Sequence, residues 1–399
     1  MSTYIYTALN SAGKEVKGEI MAKTEEIALE LIRNTGVFPV KIRKKASQIN
    51  IGPPPKLSIK TVARFSTQMA AMLKSGIPIA RVLEILKIES EDKQLRGILT
   101  DVFGSIQEGN TLKDSFMPYS KLFPVMFISM IEAGEAAGSL PSTLERAGTS
   151  FNKTSKINGK VKSAMIYPIV ILTILIALII FMLAWVMPQF TEIYAQSGTE
   201  LPAFTNLLLD ISDFIIQQWY IIIIFLILAI VGFKFYTKTE KGNLNFAKFK
   251  LNFPIIKKLI AKVYAARFCR TLSSLTHAGI PMITALNITA RSIGNSYYQK
   301  EIEKMIPEIQ RGQELSRAMG LTTVMPLMVT SVTKLGEESG ELEQMLTQVS
   351  DYYEDEAELA IQTMLSLMEP VLIIIMAATV LPILLAALAP LFGMFEAMM

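Results

Sequence analysis

Three stretches of the chain carry apolar side chains at nearly every position. They run from Pro168 to Met187, from Phe214 to Phe233 and from Pro370 to Phe392, and none contains a charged residue. A bilayer core of about 30 Å needs about 20 helical residues. Backbone groups in lipid have to be satisfied within the segment, so each run is expected to be a membrane-spanning helix. Pro168 suits the first turn of its helix, where a missing N–H costs nothing. Pro382 lies inside the third run and is expected to kink it. Residues 1–20 carry Lys14, Glu15, Lys17 and Glu19 and no apolar core, so insertion is expected to begin with an internal helix.

Polar positions around the runs predict their direction. Lys153, Lys156, Lys160 and Lys162 precede the first run, and no Lys or Arg occurs from Ser163 to Phe233. Lys234, Lys238, Lys241, Lys248, Lys250, Lys257, Lys258 and Lys262 follow the second. Lys and Arg stay on the cytoplasmic side during insertion. The N-terminus and the segment after run two are therefore expected in the cytoplasm. The short acidic connector and, by counting spans, the C-terminus are expected outside.

The same pattern of positions occurs twice. Arg64-Phe65 through Ser75-Gly76-Ile77-Pro78 matches Arg267-Phe268 through Ala278-Gly279-Ile280-Pro281 at an offset of 203 residues. Gly134-Glu135, Gly138 and Leu140 match Gly336-Glu337, Gly340 and Leu342 at an offset of 202. So near-constant an offset marks a duplication. Run two has no counterpart. It returns the chain to the cytoplasm, so both copies share one orientation, unlike inverted transporter repeats.

Within each copy the spacing is helical. Phe65, Met69, Met72 and Leu73 fall on one face, Gly76 suits a left-handed helix end, and Pro78 suits the start of the next helix. Further helices are expected at 94–107, 121–133 and 141–165, about six per copy, with Gly-Glu-x-x-Gly breaking a helix at 134–138 and 336–340. The N-terminus instead alternates over Tyr4–Ala8 and Val16–Met21, with a turn at Asn10 to Gly13, a capped helix after Thr24 and a third strand near Pro39–Ile42.

The expected fold class is mainly α: a polytopic membrane protein with two homologous cytoplasmic helical bundles, three transmembrane helices and a small N-terminal α+β module. The expected domains are a ββαβ-like module at 1–45, a linker at 46–58 stiffened by Pro53-Pro54-Pro55, and a first helical domain at 59–165. Transmembrane helix 1 follows at 166–188, an external connector at 189–213 and transmembrane helix 2 at 214–236. The second helical domain occupies 237–369, transmembrane helix 3 370–392, and an external tail 393–399.

Composition agrees with a membrane protein bearing large soluble parts: 399 residues, 51% hydrophobic and 19% charged. A net charge of +4 gives no argument for nucleic-acid binding. One cysteine, Cys269, excludes an internal disulfide, and one histidine, His277, excludes a Cys/His zinc site. No P-loop, GxGxxG, HExxH or GxSxG motif occurs. No catalytic, cofactor or metal residue is therefore assigned. His277 matches Lys74 and reads as a charge at a helix C-terminus. Cys269 matches Ser66 and reads as a packing residue.

The turn acids Glu132, Glu135, Glu337, Glu338 and Glu341 supply too few oxygens for calcium by themselves. They read as solvated acids or partner contacts. The acidic run Asp351 to Glu358 reads as a wet helix face or as a dock for a basic partner. A channel or transporter normally carries ionisable residues within its spans, and these runs have none. A non-enzymatic scaffold is the reading favoured over a transporter, a channel or a membrane enzyme.

Together these features resemble the inner-membrane platform proteins of type IV pilus and type II secretion machines, the PilC/GspF family. The carriers are Ser75-Gly76-Ile77-Pro78, Glu108-Gly109, Leu122-Phe123-Pro124, Glu132 to Gly138, Tyr167-Pro168, Val186 to Phe190 and Leu201-Pro202, with weaker copies in the second half. The resemblance implies a self-associating platform that couples a cytoplasmic ATPase to insertion or extraction of pilin subunits. The alternative is the same role in a type II secretion or competence pseudopilus. Implied partners are that ATPase, pilin or pseudopilin transmembrane helices, other inner-membrane assembly proteins, further copies of the chain, and lipid. Gly134, Glu135 and Gly138, with Gly336, Glu337 and Gly340, are the expected partner-contact residues.

Overall fold

A computed structural model of the chain describes residues 2–9, 15–22, 29, 32, 36–44, 56–186, 188–189, 203–249, 251 and 254–397. It divides into two units, Met1–Pro55 and Lys56–Met399.

The first unit is built on strands β1 (Ser2–Leu9), β2 (Glu15–Ala22) and β3 (Phe38–Lys44). They form one antiparallel sheet in the order β2-β1-β3. The register of β1 against β3 slips between Thr7 and Ala8. The alternation in the sequence located all three strands, each of them longer than expected. The turn at 10–13, nearly all of the helix expected after Thr24, and the linker's 46–55 lie outside the described residues.

The second unit is helical. The first repeat has α1 (Ile59–Lys74), α2 (Ile79–Glu89), α3 (Lys93–Gln107), α4 (Leu112–Phe116), α5 (Val125–Ala136) and α6 (Leu140–Ala164). The apolar α7 (Ile166–Phe181) follows directly after Met165, and Pro168 falls in its first turn as expected. Then come α8 (Ala203–Lys238), bent at the non-helical Gln218, and α9 (Glu240–Phe249).

The second repeat comprises α10 (Pro254–His277), α11 (Met282–Ser292), α12 (Ser296–Glu303), α13 (Met305–Gln310), α14 (Leu315–Gly320), α15 (Leu327–Ser339) and α16 (Leu342–Ala397). The pair α12–α13 corresponds to the single α3. Pro307 stands where the first repeat has Gly104, and a proline ring clashes with the carbonyl four residues back, so the helix divides there. Pro370 and Pro382 do not end α16, which continues through both.

The helix ends recur with the repeat. Gly76 and Gly279 both take positive φ, 80° and 76°, and the N–H of each donates three residues back, to Leu73 and Thr276. Pro78 and Pro281 stand one residue ahead of the helices they introduce, at the cap position. The helix α4 was not foreseen; Thr111 caps it by accepting from Asp114 N at 3.0 Å.

In each repeat the first helix lies along the last, α1 on α6 and α10 on α16. One continuous core joins the repeats, and α5 of the first packs against α11 of the second. The core of repeat one is aromatic. Phe116 stands edge-on to Phe123 and Phe127, each at 5.4 Å, and Phe123 stacks on Phe127 at 4.7 Å. Among the described residues two helical stretches are long and apolar enough to cross a membrane, Leu140–Val186 and Leu342–Pro382. Their apolar side chains, such as Ile169, Ile174, Ile373 and Ile374, are exposed.

Candidate functional site

The duplicated Gly-Glu-x-x-Gly forms a corner in each repeat. In the first, Glu135 lies within α5 and reaches α4 across the chain. Its Oε1 accepts from Leu112 N at 2.6 Å and its Oε2 from Lys113 N at 2.9 Å. Those N–H groups open a helix and have no partner inside it. A carboxylate there also meets the positive end of the helix dipole. Glu132 pairs with Lys113 Nζ at 2.6 Å and raises the lysine's pKa above its ordinary 10.5.

The second corner repeats this. Glu337 accepts from Leu315 N at 2.5 Å and from Ser316 N at 3.0 Å. Glu314, at the cap position of α14, makes no side-chain cap of its own. Glu337 therefore carries out the capping that Thr111 and Glu135 share in the first repeat.

The glycines make the corner possible. A Cβ on Gly134 would lie 2.9 Å from Leu140 Cα, and one on Gly336 would lie 2.9 Å from Leu342 Cα. Both are buried where the two arms of the corner cross. The helix breaks four residues later, at the exposed Gly138 and Gly340, with φ of 65° and 74°. The break thus comes at the last position of the motif, while its Gly-Glu start remains helical. Among the described residues no group of three or more His, Cys, Asp or Glu side chains is placed to hold a metal ion.

A second feature is a charged seam along α16, which α6 of the first repeat meets from one side and α10 of its own repeat from the other. Lys153 on α6 lies 3.4 Å from Asp351 and 2.7 Å from Glu354, both on α16. Lys156 and Lys160 both pair with Glu358, the former at 3.7 Å. Arg270 on α10 pairs with Asp351 and, at 3.1 Å, with Glu354; Lys262 meets Glu356 at 2.5 Å. Arg146 and His277 converge on Glu343 at 3.1 and 2.5 Å. The side chain of Glu354 is only 8% exposed. The acidic run is therefore only in part a wet face: Asp355 is exposed, whereas Asp351, Glu354, Glu356 and Glu358 are engaged by the chain's own lysines and arginine.

His277 does serve as a basic residue at the end of its helix, as does Lys74, whose partner is Glu145 at 3.3 Å. Cys269 is buried, and burial pushes its thiol up to about 12, as fits a packing side chain. Beside the second corner, Leu327, Met328 and Leu335 of α15 are exposed, whereas Met126, the counterpart of Met328, is buried.

Comparison with known proteins gives these features a context. The family described as type II secretion system (T2SS), protein F, matches twice, over residues 65–188 and 268–390. Its N-terminal domain matches residues 1–43. The two matches coincide with the two repeats. The type IV pilus assembly protein PilC of Pseudomonas aeruginosa is 30% identical, covering 90% of this chain and 96% of its own length. The PilC of Thermus thermophilus is 30% identical over 98% of each chain. The type II secretion system protein F of Vibrio cholerae is 31% identical over 99% of this chain and 98% of its own. With both repeats and the N-terminal unit matched, the chain belongs to the type II secretion system protein F family, which takes in the PilC proteins of type IV pili.

Proposed function

We propose that this chain is the inner-membrane platform of a type IV pilus assembly machine. As a non-enzymatic scaffold it couples a cytoplasmic ATPase to the insertion and extraction of pilin subunits. Nearly full-length similarity to relatives named for pilus assembly carries this reading. The charged seam supports it, because a transmitter of force needs its two halves locked together. The same scaffold in a type II secretion or competence pseudopilus is the second reading, favoured by the similarity to protein F of Vibrio cholerae.

In this reading Phe214–Phe233 is a third span, the N-terminus is cytoplasmic and the C-terminus lies outside. The two repeats meet the ATPase, the spans meet pilin helices and lipid, and further copies and other inner-membrane assembly proteins complete the platform. The six motif positions, Gly134, Glu135, Gly138, Gly336, Glu337 and Gly340, serve the partner contact by holding each corner in shape. The exposed Leu327, Met328 and Leu335 offer apolar surface beside the second corner.

Crosslinking in cells with identification of the captured proteins tests the proposal. An assembly ATPase and a pilin are the expected partners, and deletion of the gene should abolish surface fibres while pilin is still made. Capture of secretion-machine components, with fibres intact, would move the assignment to the pseudopilus. Capture of neither would overturn the platform reading. Cysteine labelling adds the topology: a label at position 196 should be reached from outside and one at 299 from the cytoplasm.

A further inference from the structure

Matched positions in the two repeats treat one arginine differently. Arg64 in the first repeat has a carboxylate partner, Glu91, at 3.3 Å. Its counterpart Arg267 has Gly294 where Glu91 would stand. Gly294 has φ of 82°, and a Cβ on it would lie 3.0 Å from Arg267 Nη1. The glycine thus removes the acid and makes room for the guanidinium. Arg267 donates instead to the Ile293 carbonyl at 2.7 Å and to Asn158 Oδ1 at 3.4 Å. Burial draws its pKa below the ordinary 12.5, and no carboxylate pulls it back.

Arg267 lines a cavity of about 220 Å³ between α6 of the first repeat and α10 and α11 of the second. Arg291 and Lys56 line it too, and among the described residues no Asp or Glu does. Ser292, also in its wall, has a buried hydroxyl oxygen with no hydrogen-bond partner. Phe123, Met126 and Phe151 form an apolar side. Three cations around one cavity with no acid repel each other, and an unsatisfied buried hydroxyl is costly.

We propose that this cavity binds the phosphate group of a small ligand, with Arg267 and Arg291 as charge-assisted donors and Ser292 as a further donor. Guanidinium forks match phosphate oxygens, and two arginines with a lysine suit a doubly charged oxyanion. The cavity exceeds a bare phosphate and has an apolar side, so it also accommodates the organic body of a phosphomonoester. The bound anion touches both repeats and strengthens their joint.

The test uses the full-length protein in detergent, with inorganic phosphate and adenosine monophosphate as separate probes in titration calorimetry. Saturable binding with a dissociation constant of about 1 mM or tighter is expected for at least one probe. Arg291→Glu and Ser292→Asp should each weaken it roughly tenfold or more. Arg291 is exposed, so its variant should keep the wild-type unfolding temperature without ligand. Equal affinity for both probes assigns the site to free phosphate; tighter binding of the nucleotide assigns it to a phosphomonoester. No saturable binding by either probe, or binding unchanged in both folded variants, overturns the proposal.

Discussion

The last helix of the first repeat and its copy in the second occupy matched places and carry opposite charge. On α6 the residues beyond Glu145 include Arg146, Lys153, Lys156, Lys160 and Lys162 and no acid. On α16, Asp351, Glu354, Asp355, Glu356 and Glu358 occur, and no Lys or Arg at all. Against its own first helix each solves the same contact differently. Asn152 meets Thr67 at 3.2 Å in the first repeat, and at the same pair of positions Glu354 meets Arg270 at 3.1 Å in the second. Duplication supplied two equivalent surfaces, and divergence in sign lets one copy bind the other. Two copies that had kept the same charge would repel where these attract.

The comparison extends to the cores, where the largest effect is expected. Phe65, Phe116, Phe123 and Phe127 of the first repeat correspond to Phe268, Met319, Met325 and Val329 in the second. Phe127 is fully buried and touches the other three rings. Phe127→Ala should cost about 3–5 kcal/mol, cavity included. Val329→Ala, at the matched and equally buried site, should cost about 2 kcal/mol. Thermal unfolding of the full chain in detergent measures both. Equal losses would show that Phe127 contributes no more to its core than the smaller Val329 does to the matched one, and would remove the proposed advantage of the aromatic cluster.

Next come the corners. Glu135→Ala leaves Leu112 N and Lys113 N without their acceptor, but Thr111 still caps α4. Glu337→Ala removes the carboxylate from a helix whose cap residue, Glu314, makes no side-chain cap hydrogen bond. A loss of roughly 2 kcal/mol is expected for the first and a larger one for the second. Glutamine at either position keeps one acceptor oxygen and should recover part of the loss. Hydrogen exchange at Leu112 and Leu315 reads the effect locally. Loss of partner binding in the alanine variants with normal exchange there would instead mean that these side chains touch the partner.

Much of this is legible in the sequence. Periodicity and the Gly-x-Pro punctuation located the hairpin of helices at 64–74 and 79–88 and its copy around Gly279 and Pro281, and the apolar runs located the exposed helices. The helix α4 escaped because five residues are too few to establish a period, although Thr111 followed by Asp114 is a capping signal. The corners escaped in a different way. The motif was visible, but Gly-Glu at a helix end reads as an exposed turn until the close approach of Leu140 and Leu342 explains the glycines. The seam could have been read. Aligning the repeats sets Lys156 opposite Glu358 at an offset of 202, so the sign change was in the sequence. Taken separately, the lysines served as a topology signal and the acids as a wet face.

The seam gives the smallest of these effects, and pH is the way to it. Salt bridges shared with solvent are individually weak. Arg270, beside Asp351, holds its carboxyl below the ordinary 3.8 despite partial burial, and Lys160 does the same for Glu358 against an ordinary 4.5. A carboxylate whose pKa is depressed on folding stabilises the folded state above its unfolded value and loses that contribution as pH falls through the folded one. The seam's contribution should therefore be complete above about pH 4.5 and should decline below it. Lys160→Gln removes the first cause of the Glu358 shift, so the acid sensitivity of the unfolding temperature should diminish in that variant. Thr67 and Asn152 hold the matching contact in the first repeat without a charge, so their replacement should leave the pH profile unchanged in shape. If the two variants alter the profile alike, the sign difference between the repeats is not what joins them.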